Sequence, residues 1–225
     1  MKKFAVTFTL LIMVTFAGCS NNSTAVQSQT VETTVKTSDE ALALLKAGNE
    51  RFYENESRQV NINAERRETL TKGQDPYAVI VGCSDSRVTP THLFNAGLGE
   101  LFEIRTAGNV LDDTTLGSIE YGAEHLETPL IVVLGHENCG AVTATYDAVV
   151  KKQEVEGHIA DIVKRITPSI TETNASSVED AIYQNIKDVE EQIKEDAVIK
   201  ELIEEGKVKV IGAYYNLNGK VTFLD

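Results

Sequence analysis

Two short segments of this chain carry side chains that can do chemistry together: Cys83-Ser84-Asp85-Ser86-Arg87 and Gly135-His136-Glu137-Asn138-Cys139-Gly140. They supply two thiols, one imidazole, and a carboxylate two residues from a guanidinium. Thiolate sulfur and imidazole nitrogen in a tetrahedral set are what zinc prefers, and a catalytic zinc keeps its fourth position for water or substrate. Cys83, His136 and Cys139 make three strong ligands, with Asp85 as a weaker, conditional fourth. A structural site would want four Cys or His, and neither segment holds a fourth. The expectation is one catalytic zinc ion per chain. Such an ion lowers the pKa of water from about 15.7 towards 7 and makes hydroxide available at neutral pH.

Both segments follow strand-like runs. Residues 77–82 form a short apolar run ending at Cys83, and residues 130–135 form another ending at His136. Residues 101–105 and 207–215 are further strand candidates, and Asn218-Gly219 suits a tight turn into a last strand over 220–224. Helical spacing covers 114–126, 139–150 and a long stretch from Ser177 towards Glu205, in which Ile182, Ile186, Val189 and Ile193 share a face. Ser177 with Asp180 resembles a capping box at its start. Ser38 is placed to cap a first helix with Leu42, Leu45, Phe52 and Tyr53 on one side. Strands alternating with helices predict an α/β fold: a mostly parallel β-sheet flanked by helices, with an N-terminal helical arm. The metal-binding segments then fall at the carboxyl ends of buried strands, the edge where open α/β sheets bind ligands. No glycine-rich phosphate-binding fingerprint occurs, which leaves a nucleotide site without support.

The chain opens Met1-Lys2-Lys3, followed by an almost wholly apolar run over residues 4–17. A short basic start and an apolar stretch of this size read as a secretory signal, too short for an ordinary membrane span. The run ends Phe16-Ala17-Gly18-Cys19-Ser20, which resembles a bacterial lipobox with Phe16 where Leu is commoner. That resemblance implies cleavage before Cys19, lipidation of its sulfur, and an anchor on the extracytoplasmic side of a bacterial membrane. Stable anchoring takes two acyl chains or more. The expected organisation is a signal peptide over 1–18, a flexible polar tether over 19–37, and one zinc domain over 38–225. With Cys19 acylated, Cys83 and Cys139 are the remaining cysteines, and metal binding would protect them in an oxidising compartment. Net charge is −13 with no basic block outside the leader, which argues against nucleic acid as a partner.

Taken together, Cys83-Ser84-Asp85-Ser86-Arg87-Val88 and Gly135-His136-x-x-Cys139-Gly140 resemble the signature of the β-class carbonic anhydrases. The resemblance runs from about Ser38 to the C-terminus and includes Ile104-Arg105-Thr106-Ala107-Gly108-Asn109, Ser118-Ile119-Glu120-Tyr121, His125-Leu126 and Gly212-Ala213-Tyr214-Tyr215. It implies a zinc lyase that reversibly hydrates carbon dioxide to bicarbonate and a proton. Zinc would be held by Cys83, His136 and Cys139, with a zinc-bound hydroxide oriented by the Asp85-Arg87 dyad. Gln74, nine residues before Cys83, would face the substrate. Phe102 and Tyr121 would wall a small apolar pocket completed across a homodimer or higher homo-oligomer. Asp85 is retained as a conditional metal ligand, able to swing onto zinc in a closed form at low pH.

Several positions depart from the family's patterns. Ala107 stands where the family usually has Val, which widens that wall slightly. One subset uses a Trp to build an inhibitory bicarbonate site; Ile80 stands there and the chain has no Trp, so no site of that kind is expected. His92, His125 and His158 lack ligand spacing and are read as packing or surface residues, His92 being the one weighed as a proton-transfer helper. Relatives of the same fold hydrolyse carbonyl sulfide or carbon disulfide, a choice set by pocket shape. From another class, the competing reading is a non-catalytic zinc-stabilised binding module, which would have no need of the Asp85-Arg87 pair. A thiol oxidoreductase has little support without a C-x-x-C pair.

Overall fold

The computed structural model describes residues 35–173 and 175–224. The expected signal peptide, Cys19 and most of the tether lie outside the described residues. The chain runs α1 (Ser38–Tyr53), α2 (Ala64–Leu70), β1 (Ala78–Cys83), α3 (Pro90–Leu93), β2 (Leu101–Thr106), α4 (Asp113–Glu120) and β3 (Leu130–His136). It continues through α5 (Gly140–Val150), α6 (Ile159–Ile166), α7 (Pro168–Thr171), α8 (Val178–Glu195), α9 (Ala197–Glu204), β4 (Lys209–Tyr215) and β5 (Val221–Leu224). The strands form one sheet in the order β2-β1-β3-β4-β5. Four of them are parallel and β5 alone runs antiparallel. The fold is therefore the α/β class expected, with a mostly parallel sheet between helices.

β1 and β3 are buried at every residue, as central parallel strands covered on both faces must be. Alternation divides their side chains between two cores. Val79, Val81, Ile131 and Val133 pack with Val142 of α5 and Ile182, Ile186 and Val189 of α8. Ala78, Ile80, Leu130, Val132 and Leu134 pack with Ala41 and Leu45 of α1 and Leu93 of α3. The N-terminal helix is thus seated on its own sheet. Helix α8 lies very close to the strands: a Cβ added at Gly135 would stand 2.4 Å from Ile186 Cγ1, and one at Gly212 would stand 2.8 Å from Ile186 Cγ2. Among the described residues no helix is long and apolar enough to cross a membrane.

Several element ends differ from expectation for local reasons. Thr37, not Ser38, caps α1: its hydroxyl accepts from Glu40 N–H while the Glu40 carboxylate accepts from Thr37 N–H. A capping box needs its carboxylate three residues on, and Glu40 meets that spacing from Thr37. The stretch 114–126 is α-helical only to Glu120, then widens into one π turn at Tyr121–His125. The long helix from Ser177 stops at Glu195 because Asp196 adopts an extended ψ of 135°, and its carboxylate caps Val198 and Ile199 at the start of α9. The unanticipated helices α2, α3, α6 and α7 have at most eight residues each, too few turns to show a stripe in the sequence.

Gly135→Ala should destabilise the protein by about 1–3 kcal/mol, because the added methyl must displace Ile186 in a filled core. Urea unfolding measures it; an unchanged midpoint would mean that α8 is not pressed onto β3 as described.

Candidate metal centre

The metal-binding segments converge because β1 and β3 are parallel neighbours. Gly82 pairs with Leu134, so both chains leave the sheet at the same edge, one just after Cys83 and the other after His136. A turn through Asn138, at φ +52°, then places Cys139 at the N-cap of α5. One ligand atom each from Cys83, His136 and Cys139 lies within 4.8 Å of the others, and all three residues are buried. Ligand atoms of a tetrahedral zinc site stand about 3.3–3.8 Å apart, so at most about 1.5 Å of closure is needed.

The chemistry of this trio calls for a cation. His136 Nδ1 lies 2.9 Å from the Glu137 carbonyl oxygen, which fixes the ring proton there and leaves Nε2 as an acceptor. Nε2 is buried and has no protein partner. An unpartnered buried acceptor costs about 1–3 kcal/mol, a cost that a metal ion at this point removes. The two sulfurs lie within 4.8 Å of each other, and their proximity pulls the Cys83 thiol far below its ordinary range while pushing that of Cys139 up. A divalent cation between them would let both be thiolates. Cys83 Sγ also accepts N–H bonds from Asp85 at 3.4 Å and Gly108 at 3.3 Å.

Asp85 stands beside this trio without joining it. Its Oδ2 is 4.0 Å from His136 Nε2. Arg87 grips the carboxylate in a bidentate pair, Nη2 donating to Oδ2 at 2.7 Å and Nε to Oδ1 at 2.9 Å, and the Arg87 N–H adds a third bond to Oδ1 at 2.9 Å. These bonds hold the Asp85 carboxyl well below the usual carboxylate range, against a smaller opposing effect of burial. In this conformation Asp85 is engaged by Arg87 on both oxygens; a swing onto metal would have to break that fork.

The three expected substrate residues lie elsewhere. Phe102 pairs in register with Val79, four residues before Cys83, or about 13 Å back along the strand. Tyr121 opens the π turn, is 46% exposed, and places its ring 6.1 Å from that of Phe102 and 4.7 Å from that of His125. Gln74 is exposed in the loop before β1. Phe102 and Tyr121 therefore meet each other, but towards the amino ends of the strands, away from the metal trio of the same chain. Ile80 is wholly buried, and His92, His125 and His158 are exposed.

Four residues that shape the centre had no role assigned from sequence. Arg105 ties the first segment to β2, its Nε donating to the Cys83 carbonyl at 3.0 Å and Nη2 to the Asp85 carbonyl at 2.7 Å. Glu137 pins the second: its N–H donates to the Tyr215 carbonyl and its carboxylate accepts from Leu217 N–H, both at 2.9 Å. Gly108 supplies an N–H to Cys83, and Asn185 of α8 donates to the Gly108 carbonyl at 3.0 Å. Arg105 and Gly108 fall in a segment already singled out as a motif. Asn185 left one signal, a polar residue on the apolar face between Ile182 and Ile186.

A Cys-His-Cys centre beside a gripped carboxylate, at the carboxyl edge of a mostly parallel sheet, defines a zinc-enzyme type of α/β protein. The family model described as Carbonic anhydrase matches residues 78–221. A carbonic anhydrase of Mycolicibacterium smegmatis is 41% identical over 182 residues, covering 79% of this chain and 88% of that one. Carbonic anhydrase 2 of Mycobacterium tuberculosis is 39% identical over 178 residues, covering 77% and 86%. Among solved structures, the Coccomyxa β-carbonic anhydrase in complex with acetazolamide superposes with TM-score 0.64 at 26% identity, over 81% of this chain and 85% of that one. The β-carbonic anhydrase CcaA shares the fold with TM-score 0.67 at 24% identity, over 82% and 87%. The chain belongs to the carbonic anhydrase family, in its β class.

Proposed function

We propose that this protein is a zinc carbonic anhydrase, interconverting carbon dioxide and bicarbonate, in which Asp85 and Arg87 act as an orienting pair. The observation that carries this reading is a buried three-ligand centre with an ionised carboxylate oxygen 4.0 Å from the ligand nitrogen of His136. Zinc would be held by Cys83 Sγ, His136 Nε2 and Cys139 Sγ, and when bound it supplies Lewis acidity that brings the pKa of water towards 7. Asp85 Oδ2 accepts the O–H of the attacking water and so turns its free lone pair towards the carbon. Arg87 keeps that carboxylate ionised and keeps both oxygens in fixed directions. Because its pKa lies far below neutrality, Asp85 does not store the proton released by the reaction; its part is orientation. A binding module would gain nothing from a carboxylate held this way.

Stopped-flow carbon dioxide hydration on the chain from Ser20, with zinc assayed on the same sample, tests the proposal. The expected result is one zinc per chain and activity abolished by a chelator. Asp85→Asn should keep the zinc and lose turnover on the order of 10²-fold or more. Zinc-replete protein without hydration activity, or near-normal turnover in Asp85→Asn, would sink it.

The same reading calls for a second copy of the chain. β2 is an edge strand whose six residues are all only partly buried, and beside it Tyr121 is exposed. An apolar patch on an open sheet edge is what a two-fold partner would cover. Phe102 and Tyr121 would then wall the substrate pocket of the partner, and Gln74 would lie by the same junction. Co-expressing Asp85→Asn chains with Phe102→Ala chains distinguishes shared from separate pockets. In a mixed dimer with shared pockets both lesions fall in one site and the other is intact, so roughly a quarter of all sites should recover. No recovery above the separate variants would show that each chain builds its own pocket.

The leader supports a place of work as well. On the basic start, the apolar run and Phe16-Ala17-Gly18-Cys19, the mature chain is proposed to begin at a lipid-bearing Cys19 on the extracytoplasmic side of a bacterial membrane. Labelled palmitate should enter the protein and be lost in Cys19→Ser. A wild-type chain that takes up no label refutes the anchor.

A further inference from the structure

The thiol of Cys83 is linked to helix α8 through the backbone of a single residue, Gly108. The Gly108 N–H donates to Cys83 Sγ at 3.3 Å, and its carbonyl accepts from Asn185 Nδ2 at 3.0 Å. Cys83, Gly108 and Asn185 are all buried. Gly108 sits in the left-handed region at φ +70°, and a Cβ there would stand 2.7 Å from Ile166 Cδ1 and 3.0 Å from Ala141 Cβ. Glycine is therefore required, and glycine is also the residue least able to hold its own conformation. Something outside the turn has to fix the direction of its N–H.

Asn185 is placed to do so. It comes from a residue 77 positions away, on the helix that Ile186 seats against Gly135 and Gly212. Its neighbours on that face are Ile182, Ile186, Val189 and Ile193, all in the apolar core. A buried amide among them costs free energy unless it is hydrogen-bonded, and its amide donor goes to the Gly108 carbonyl. A purely structural role would end at that carbonyl. Here the same residue aims its other backbone group at a metal-ligand sulfur. An N–H bond draws electron density from a thiolate, which matters in a centre where two thiolates already offset most of the charge of a divalent ion.

We propose that Asn185 is a positioning residue for the metal centre: by holding the Gly108 carbonyl it keeps the Gly108 N–H on Cys83 Sγ, and thereby sets the position and donor strength of that sulfur. The proposal rests on Cys83 being a zinc ligand, which the zinc content of the unaltered protein checks separately. The test uses the full domain loaded with zinc or with cobalt(II), whose sulfur-to-metal charge-transfer band reports thiolate donor strength. Asn185→Leu keeps the side-chain size and removes the donor. It should lose about tenfold in zinc affinity in competition with a chelator, and its cobalt band should move to longer wavelength. Ile193→Ala, two turns along the same helix, should lose stability while leaving affinity and band unchanged. If Asn185→Leu does not fold, Asn185→Ser is read in the same way. An unmoved band and unchanged affinity in an Asn185 variant would overturn the proposal, as would an equal shift in Ile193→Ala. Less than one zinc per unaltered chain would instead remove the ligand assignment beneath it.

Discussion

The centre depends on the parallel pairing of β1 with β3. With Gly82 opposite Leu134, Cys83 and His136 leave the sheet side by side, and the short turn to Cys139 closes the third corner. A register slip of one residue would send Cys83 to the other face, because successive side chains of a strand point in opposite directions. What pins the register is the burial of both strands on both faces. Val79 and Val81 must meet α8, and Ala78 and Ile80 must meet α1 and α3. The apolar cores thus do more than stabilise: they decide which groups come together at the edge.

Once gathered, those groups cannot be at rest alone. Two neighbouring thiols and a buried imidazole nitrogen without a partner form an arrangement that protein atoms do not satisfy. The surroundings push it towards a cation. N–H groups from Asp85 and Gly108 stabilise negative sulfur at Cys83. Arg87 meanwhile holds both oxygens of Asp85, the carboxylate beside the trio, so that group is already engaged. The balance between these attractions is electrostatic. Asp85 contributes stability through its depressed pKa in full above the ordinary carboxylate range, and that contribution fades as pH falls towards its folded pKa. Acid would free the carboxylate from Arg87 by protonating it, and a protonated carboxyl is a poorer ligand as well as a poorer partner for Arg87.

Much of this was legible in the sequence where it is local. Cys83, Asp85 and Arg87 lie within five residues, and His136 and Cys139 within four, so each cluster shows in the spacing, while the strand ends and the family resemblance join the two into one site. The apolar runs before them read as strands for the same reason: a strand buried on both faces shows as continuous hydrophobicity. What was hidden depends on register or on distant contact. That Phe102 lies opposite Val79, and so far from the metal edge, needs the strand pairing. The π turn at Tyr121 has no propensity signature in its five residues. Arg105 and Asn185 act on backbone carbonyls, and a carbonyl looks alike at every position of a sequence.

The separation of Phe102 and Tyr121 from the metal edge gives the fold a consequence that a single chain does not show. One chain offers charge and metal ligands at the carboxyl ends of its strands, and an apolar, half-open surface towards the amino ends of the neighbouring edge strand. The first end gathers the ligands and the second the aromatic side chains of Phe102 and Tyr121. In the dimer proposed above, a rotation that brings one chain's β2 edge against another chain's metal edge would join them, and a two-fold axis would do this twice in one operation. Assembly and site formation would then share one surface, with the apolar area that stabilises the pair also excluding water from the place where carbon dioxide must bind.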